Sequence, residues 1–310
     1  MNPSAIQYLK RNEIDDVKWD KCIASADNGL IYGYSWYLDH MAAHWDALVL
    51  NNYEAVMPLT WKKKWGFHYL YQPWFTPCLG LFSSESLNDI TPFVQKIPRR
   101  FSYCDIDINE NNLWKESGIV PPATVYNRLN LLLNLNESTA SLPGRYSRLA
   151  KRSIKKSSAH QLKIVKDEPP SEIIALYQEN YHEQHPKIRN RDYQALLRCC
   201  NTAAEKNHLS TYTARTPDGE PVAFYIVLYD DRAVYSLVGG STEKGKSMGA
   251  FYLLTDAAIR DHAGSNKTFR FEGSDNPGIA FFNRQFGSSP VDYQHIRMNR
   301  LPFPFNLLKK

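Results

Sequence analysis

Eight cations and no carboxylate fall between Ser138 and Lys166: Arg145, Arg148, Lys151, Arg152, Lys155, Lys156, Lys163 and Lys166. Within RYSRLAKRSIKKSS, Arg145, Arg148, Arg152 and Lys155/Lys156 recur at helical spacing. Tyr146, Leu149, Ala150 and Ile154 fall on another face of the same helix. The pattern predicts an amphipathic helix with a cationic stripe. No acid interrupts the stripe to pair with it, so its chemistry is that of holding an anion, above all a phosphate. The plain alternative is the solvated face of an ordinary surface helix. The whole chain carries a formal charge of +5 over 310 residues, so outside this segment the balance is acidic. The basicity is local, which argues against a general nucleic-acid coat.

A second group with chemical potential is FEGSDN, which sets Glu272 and Asp275 at the end of a predicted strand. A carboxylate there can accept a proton or bind an ammonium group. Glu272 is the candidate base; Asp275 or Asn276 is the expected cap of the following helix, a role at least as fitting for Asp275 as catalysis. Metal chemistry is not expected. His182 and His185 in YHEQHP fall short of the HExxH spacing, and no third ligand stands nearby. The five cysteines, Cys22, Cys78, Cys104, Cys199 and Cys200, form no CxxC. With no apolar leader in MNPSAIQYLKRNEIDD, free thiols in a reducing cytoplasm are the expectation. The longest strongly apolar run, Val222 to Tyr229, is far short of the ~20 residues that span a bilayer, so no membrane span is expected.

The elements that must position these residues come in a repeated order. In the first half, helices over 19–26 and 35–44 precede a hairpin, 47–50 and 54–60, turned at Asn51-Asn52. A strand at 67–71 follows the basic WKKKWG turn, then a Pro-punctuated loop, a helix over 86–97, a strand at 101–108 and an extended stretch, 126–135. In the second half the basic helix (144–158) leads to a strand at 161–165 and helices over 171–182 and 192–206. A hairpin of 211–215 and 221–229 comes next, then a strand at 233–238 and a Gly-rich loop. A helix over 249–262, a strand at 268–272, a short helix over 278–286 and a last strand at 292–298 complete it. ALVLNNYEAVMPL overlays YTARTPDGEPVAFYI with the turns in register. The prediction is an α+β fold of two similar domains, 1–140 and 141–310, each with a mostly antiparallel sheet flanked by helices. The polar NLNESTASLPG stretch, 136–144, is the expected boundary.

This layout, together with RYSRLAKRSIKKSS, GGSTEKGKSMGAFYLLTDAAIRD and FRFEGSDNPGIAFFNRQFGSSP, resembles a duplicated GNAT acyltransferase fold. A tandem chain whose second half opens on a basic helix is similar to the FemABX-like peptidyltransferases and to bacterial acetyltransferase-domain proteins. The resemblance implies a donor loop of the form [Q/R]xxGx[G/A], where a helix start cradles a pyrophosphate. Its nearest match runs from Lys246 through Ser247 and Gly249 to Phe251. Lys246 stands in the Gln/Arg position. Phe251 replaces a small residue and is expected to crowd the ligand, which counts against a conventional coenzyme A site. In the stretch similar to NxxAxxLYxxxGF, the family's acid tyrosine falls on Asn283, whose amide has no titrating proton to give. Phe281, Phe282 and Phe286 are expected in the core. IYGYSWY and YQPWF resemble the segments that line the FemABX acceptor cleft, which singles out Tyr34, Trp36 and Trp74.

The resulting expectation is an acyltransferase or aminoacyltransferase with an amine acceptor. Arg148, Arg152, Lys246, Ser247 and Gly249 hold the donor, and Lys246 or strand N–H groups polarise its carbonyl. Glu272 takes the proton. The donor is an acyl-CoA or an aminoacyl-tRNA, with no tightly bound cofactor; the acceptor is a small molecule or a peptidoglycan precursor. The alternative is a non-catalytic module that holds an anionic ligand or nucleic acid on the same helix.

Overall fold

The computed structural model describes residues 5–85, 87–114 and 123–308. The chain divides into two compact units, Met1–Leu129 with Asp292–Lys310, and Asn130–Val291. The polar 136–144 segment thus lies inside the second unit, and the last strand belongs largely to the first.

In the first unit the order is β1 (Ile6–Leu9), α1 (Asp16–Ser25), α2 (Ser35–Met41), β2 (His44–Leu50), β3 (Ala55–Lys64), β4 (Phe67–Tyr71), β5 (Phe82–Ser83), α3 (Thr91–Gln95) and β6 (Phe101–Ile108). Asp15 caps α1 by accepting from the Val17 and Lys18 N–H groups. The β2–β3 turn uses positive φ at Asn51 (49°) and Tyr53 (64°). The helix expected over 86–97 is shorter, and Ser86 lies outside the described residues. Strand β7 (Thr124–Asn134) follows, with its residues from Asn130 onward in the second unit.

The second unit continues with α4 (Arg148–Ala159), β8 (Lys163–Lys166), α5 (Pro170–Tyr181), α6 (Asn190–Glu205), β9 (Leu209–Arg215), β10 (Pro221–Tyr229) and β11 (Ala233–Ser241). It closes with α7 (Glu243–Met248), α8 (Ala250–Asp261), β12 (Thr268–Arg270), α9 (Pro277–Arg284) and the start of β13 (Ser289–Asn299). The basic helix begins four residues later than expected, at Arg148, because Ser147 caps it through the Ala150 N–H. Helix α7 replaces part of the expected Gly-rich loop; Thr242 caps it.

The two units share one wiring. In the first, β1, β2, β3 and β4 are antiparallel neighbours, β4 pairs with β6 in parallel, and β6 pairs antiparallel with β13. In the second, β8, β9, β10 and β11 are antiparallel neighbours, β11 pairs with β12 in parallel, and β12 pairs antiparallel with β7. Each unit is therefore closed by a strand that lies apart in sequence from the rest of its sheet. Central strand β10 is buried from Val222 to Leu228 without alternation, as a strand covered on both faces must be. The first unit's core gathers residues such as Leu48, Met57, Leu70, Phe93, Phe101 and Ile296. Among the described residues, no helix is long and apolar enough to cross a membrane.

Candidate functional site

Helix α4 has two different faces. Its small residues pack inward: Ala150 and Ser157 are fully buried. The Ser157 hydroxyl lies 2.9 Å from the Gly249 carbonyl and 3.1 Å from that of Met248. It thereby joins the last turn of α4 to the junction of α7 and α8. Gly249 occupies that junction with φ 72° and ψ 25°. A Cβ there would stand 2.6 Å from the Ser153 carbonyl oxygen, so only glycine allows the two backbones to approach so closely. At its other end α4 is fixed to the residue after α9: the Ser147 N–H donates to the Gln285 carbonyl and its hydroxyl to Gln285 Oε1, at 2.9 and 2.6 Å.

The outward face of α4 borders an open cleft of about 500 Å³. Arg152, Lys155 and Lys156 line it from α4; Lys246, Ser247, Gly249 and Tyr252 line it from α7, α8 and their junction; among the described residues no carboxylate does. Four cations thus converge on one cavity. The cleft also sits by the start of α8, where Gly249 provides no side-chain cap. Free N–H groups and the helix dipole favour an anion at such a point.

Lys246 is not isolated. Its Nζ lies 2.6 Å from Glu243 Oε1, a contact one turn away in the same short helix. That hydrogen bond holds the lysine's pKa above its ordinary value, so Lys246 is a cation at neutral pH and acts through its charge. Tyr252, three residues beyond Gly249, has its pKa raised by burial and keeps its phenolic proton. Its ring packs on Phe282 at 4.7 Å.

The predicted site residues divide accordingly. Arg152, Lys246, Ser247 and Gly249 come together on the cleft. Arg148 is exposed on α4 but is not part of the wall. Phe251 was expected to crowd the ligand; instead its ring turns inward, 5.0 Å from Tyr225 and 5.2 Å from Phe282. Glu272 does not line the cleft. It is buried, with φ 52°; Oε1 accepts from Arg270 Nε at 3.0 Å and Oε2 from Asn130 Nδ2 at 2.8 Å. That left-handed φ ends the strand expected over 268–272 two residues early. Asn276, not Asp275, caps α9 by accepting from Gly278 and Ile279 N–H. Asn283 is buried and donates to the Ser274 hydroxyl at 3.1 Å, which fixes the turn after Glu272. Phe286 is buried as expected, whereas Phe281 is 57% exposed.

In the first unit, Tyr34 precedes α2 and is half-buried, and the Trp36 ring lies edge-on to Tyr37 at 5.7 Å. Trp74 is exposed. The Tyr37 hydroxyl donates to the Phe75 carbonyl at 2.6 Å, which brings the two aromatic segments together. Lys155, Lys156 and Tyr252, with the small residues Ser153 and Ala159, are the cleft residues missing from the expected donor set. The first two belonged to the recognised stripe. Tyr252 is marked only by its i+3 relation to Gly249, which places both on one side of the helix start.

Residues 146–276, which contain α4, the glycine junction and α8, match the acetyltransferase (GNAT) domain family. The fold of the chain is that of FemX, whose crystal structure superposes with a TM-score of 0.70 at 10% identity, covering 98% of this chain and 99% of that one. L-PGS from Bacillus licheniformis follows at 0.53, with 9% identity and 95% of each chain covered. A tandem GNAT protein from the clavulanic acid biosynthesis pathway, solved without AcCoA, gives 0.50 at 10% identity, over 96% of this chain and 99% of that one. No curated protein matches the sequence. The repeated strand order is thus that of the tandem GNAT fold.

Proposed function

We propose that the protein is an N-acyltransferase whose GNAT domain holds a phosphate-bearing acyl donor in the cleft between α4 and the α7–α8 junction. The observation that carries this reading is the convergence of Arg152, Lys155, Lys156 and Lys246 on one cavity that, among the described residues, no carboxylate lines. Phosphate oxygens draw the Lys246 ammonium from Glu243 and accept from the first N–H groups of α8. With the Phe251 ring turned away, the glycine junction stays accessible, which supports a coenzyme A thioester as donor; an aminoacyl-tRNA presents the same phosphate chemistry to the same cations.

The reaction needs a neutral amine. Its nitrogen attacks the acyl carbon, the bond to the donor's sulfur or oxygen breaks, and one proton leaves the new amide nitrogen. β12 pairs with β11 only over Ala233–Tyr235, and β11 runs on to Ser241. The N–H groups of that extension, with the fixed charge of Lys246, are suited to polarise the acyl carbonyl. Tyr252 is the cleft hydroxyl that can return a proton to the leaving group. Glu272, engaged by Arg270 and Asn130, is assigned to holding the turn. The aromatic segments around Tyr34, Trp36 and Trp74 are assigned to the acceptor, an amine-bearing small molecule or peptidoglycan precursor.

A thermal-shift series with coenzyme A and acetyl-CoA tests the donor site. A ligand at one hundred times its Kd stabilises by about 2.7 kcal/mol. Arg152→Ala and Lys246→Ala should each weaken binding about tenfold while leaving the ligand-free midpoint unchanged. No shift with any coenzyme A thioester, or undiminished binding in both variants, refutes the donor site as drawn. Incubation with labelled acetyl-CoA and an amine panel then separates an enzyme, which forms an amide, from a binding module, which does not.

A further inference from the structure

The first unit holds a basic motif that acyl transfer leaves unused: Trp61-Lys62-Lys63-Lys64-Trp65-Gly66. It forms the end of the β3–β4 hairpin. Lys64 pairs with Phe67, so Trp65 and Gly66 are a two-residue turn. Both have positive φ, 51° and 85°, the pattern whose twist matches the flanking strands. Asn or Gly is the usual first residue of such a turn, and a bulky aromatic in that conformation is strained. The indole recovers little packing in return, since Trp65 is 70% exposed. A Cβ on Gly66 would meet nothing within 4 Å, so the tip stands clear of the rest of the unit.

The tip is not alone. The Phe67 ring lies 5.2 Å from that of Phe305, which brings the C-terminal segment to the hairpin. That segment exposes Phe303 at 78% and Leu307 at 56%. Trp65, Phe303 and Leu307 are three of the most exposed large apolar side chains described. Cations surround them. Lys63 and Lys64 are exposed, and no ion pair is recorded for either among the described residues. The Lys64 ammonium lies over the Trp65 ring at 4.5 Å. His68, paired with Lys63 across the hairpin, has a pKa below its usual value, through burial first and then the charges of Arg100 and Lys63.

We propose that this hairpin tip and the Phe303–Leu307 segment dock the protein on an anionic lipid surface. An indole with a polar N–H suits the bilayer interface, and phenylalanine and leucine suit the acyl boundary just beneath it. Lysines beside them meet anionic headgroups. The convex tip favours a deformable surface over a nucleic acid, which would need a groove to follow its backbone.

Co-sedimentation of the full chain tests this, with vesicles of phosphatidylcholine alone and of phosphatidylcholine mixed with phosphatidylglycerol. The chain should sediment with the mixed vesicles, weakly with the neutral ones, and less as salt is raised. Trp65→Ala and the Lys63→Glu/Lys64→Glu pair should each lower the bound fraction about tenfold. Both side-chain sets are exposed, so the unfolding midpoint and coenzyme A binding should match those of the parent. Equal binding to both vesicles, or undiminished binding by the variants, overturns the proposal. So does failure to bind vesicles while a single-stranded RNA is retained through the same lysines.

Discussion

The two copies of the fold diverge most in the crossover that follows their fourth antiparallel strand. In the second unit β11 leads through α7 and Gly249 into the twelve-residue α8, whose start has no side-chain cap. In the first, β4 leads through a long loop to the five-residue α3. There Asp89 Oδ1 accepts from the Thr91 N–H at 2.9 Å, so the helix start already has its anion. Neutral amides hold the preceding loop: Asn112 accepts from the Leu81 N–H at 2.7 Å, and Asn109 donates to the Leu79 carbonyl at 3.1 Å. One wiring thus yields two different anion economies. The second unit leaves cations exposed beside the start of α8; the first satisfies its crossover from within.

The closing strands extend the contrast, and they carry the largest predicted effect. β7 brings Asn130 to Glu272, whose other oxygen meets Arg270; both charged side chains are about 5% exposed, at 5% and 6%. Glu272→Gln removes the carboxylate beside a buried guanidinium and should cost about 3–5 kcal/mol in urea unfolding. Lys246→Ala breaks a pair whose members are 49% and 89% exposed, and should leave stability unchanged while weakening the donor. A Glu272→Gln protein with parental stability and lost turnover would make Glu272 a catalytic residue and reverse this contrast.

β13 brings a titratable group to the equivalent place in the first unit. His295 Nδ1 lies 2.9 Å from Asp107 Oδ1, and Nε2 lies 2.6 Å from Asp105 Oδ1. Arg128 also meets Asp107, at 3.2 Å. Burial works against the imidazolium, but the two aspartates outweigh it and hold the His295 pKa above 6.5. The sign follows: the folded state binds the proton more tightly, so this stabilisation is complete below pH 6.5 and is lost as pH rises through the folded pKa. The loss should be visible as faster hydrogen exchange in β6 and β13 at alkaline pH and flattened by His295→Asn. Asn130 does not titrate, so β12 should show no matching change.

Local patterning in the sequence carried most of this architecture. The cationic stripe, the turns of both hairpins and the unbroken apolar run of β10 each follow from spacing and residue type, and the duplication follows from their order. What lay beyond reach depended on contacts distant in sequence. Nothing near Glu272 announces Asn130 as its partner, and nothing near Gly249 announces the Ser153 carbonyl that excludes a side chain. Phe251 was misjudged because its position in a donor motif says where the backbone goes, not which way the ring turns; Tyr225 and Phe282 decide that. β1 is only four residues long, too short for alternation to mark it.

The smallest effect tests the opening contrast directly. Asp89→Ala frees the Thr91 N–H at the start of α3, a helix whose N-cap Ile90 gives no side-chain cap, and should cost about 0.5 kcal/mol, because so short a helix contributes little by itself. The informative quantity is the number of coenzyme A molecules bound per chain. If a free N–H at a helix start were sufficient for donor binding, removing Asp89 would open a second site. The second unit instead combines that start with three cations from a separate helix and with Lys246. The first unit's crossover is held by asparagine amides, which offer no comparable charge. Calorimetric titration should therefore still give one equivalent. Two equivalents in Asp89→Ala would show that the Asp89 contact alone closed the first copy to a donor and that the cation stripe of α4 is dispensable.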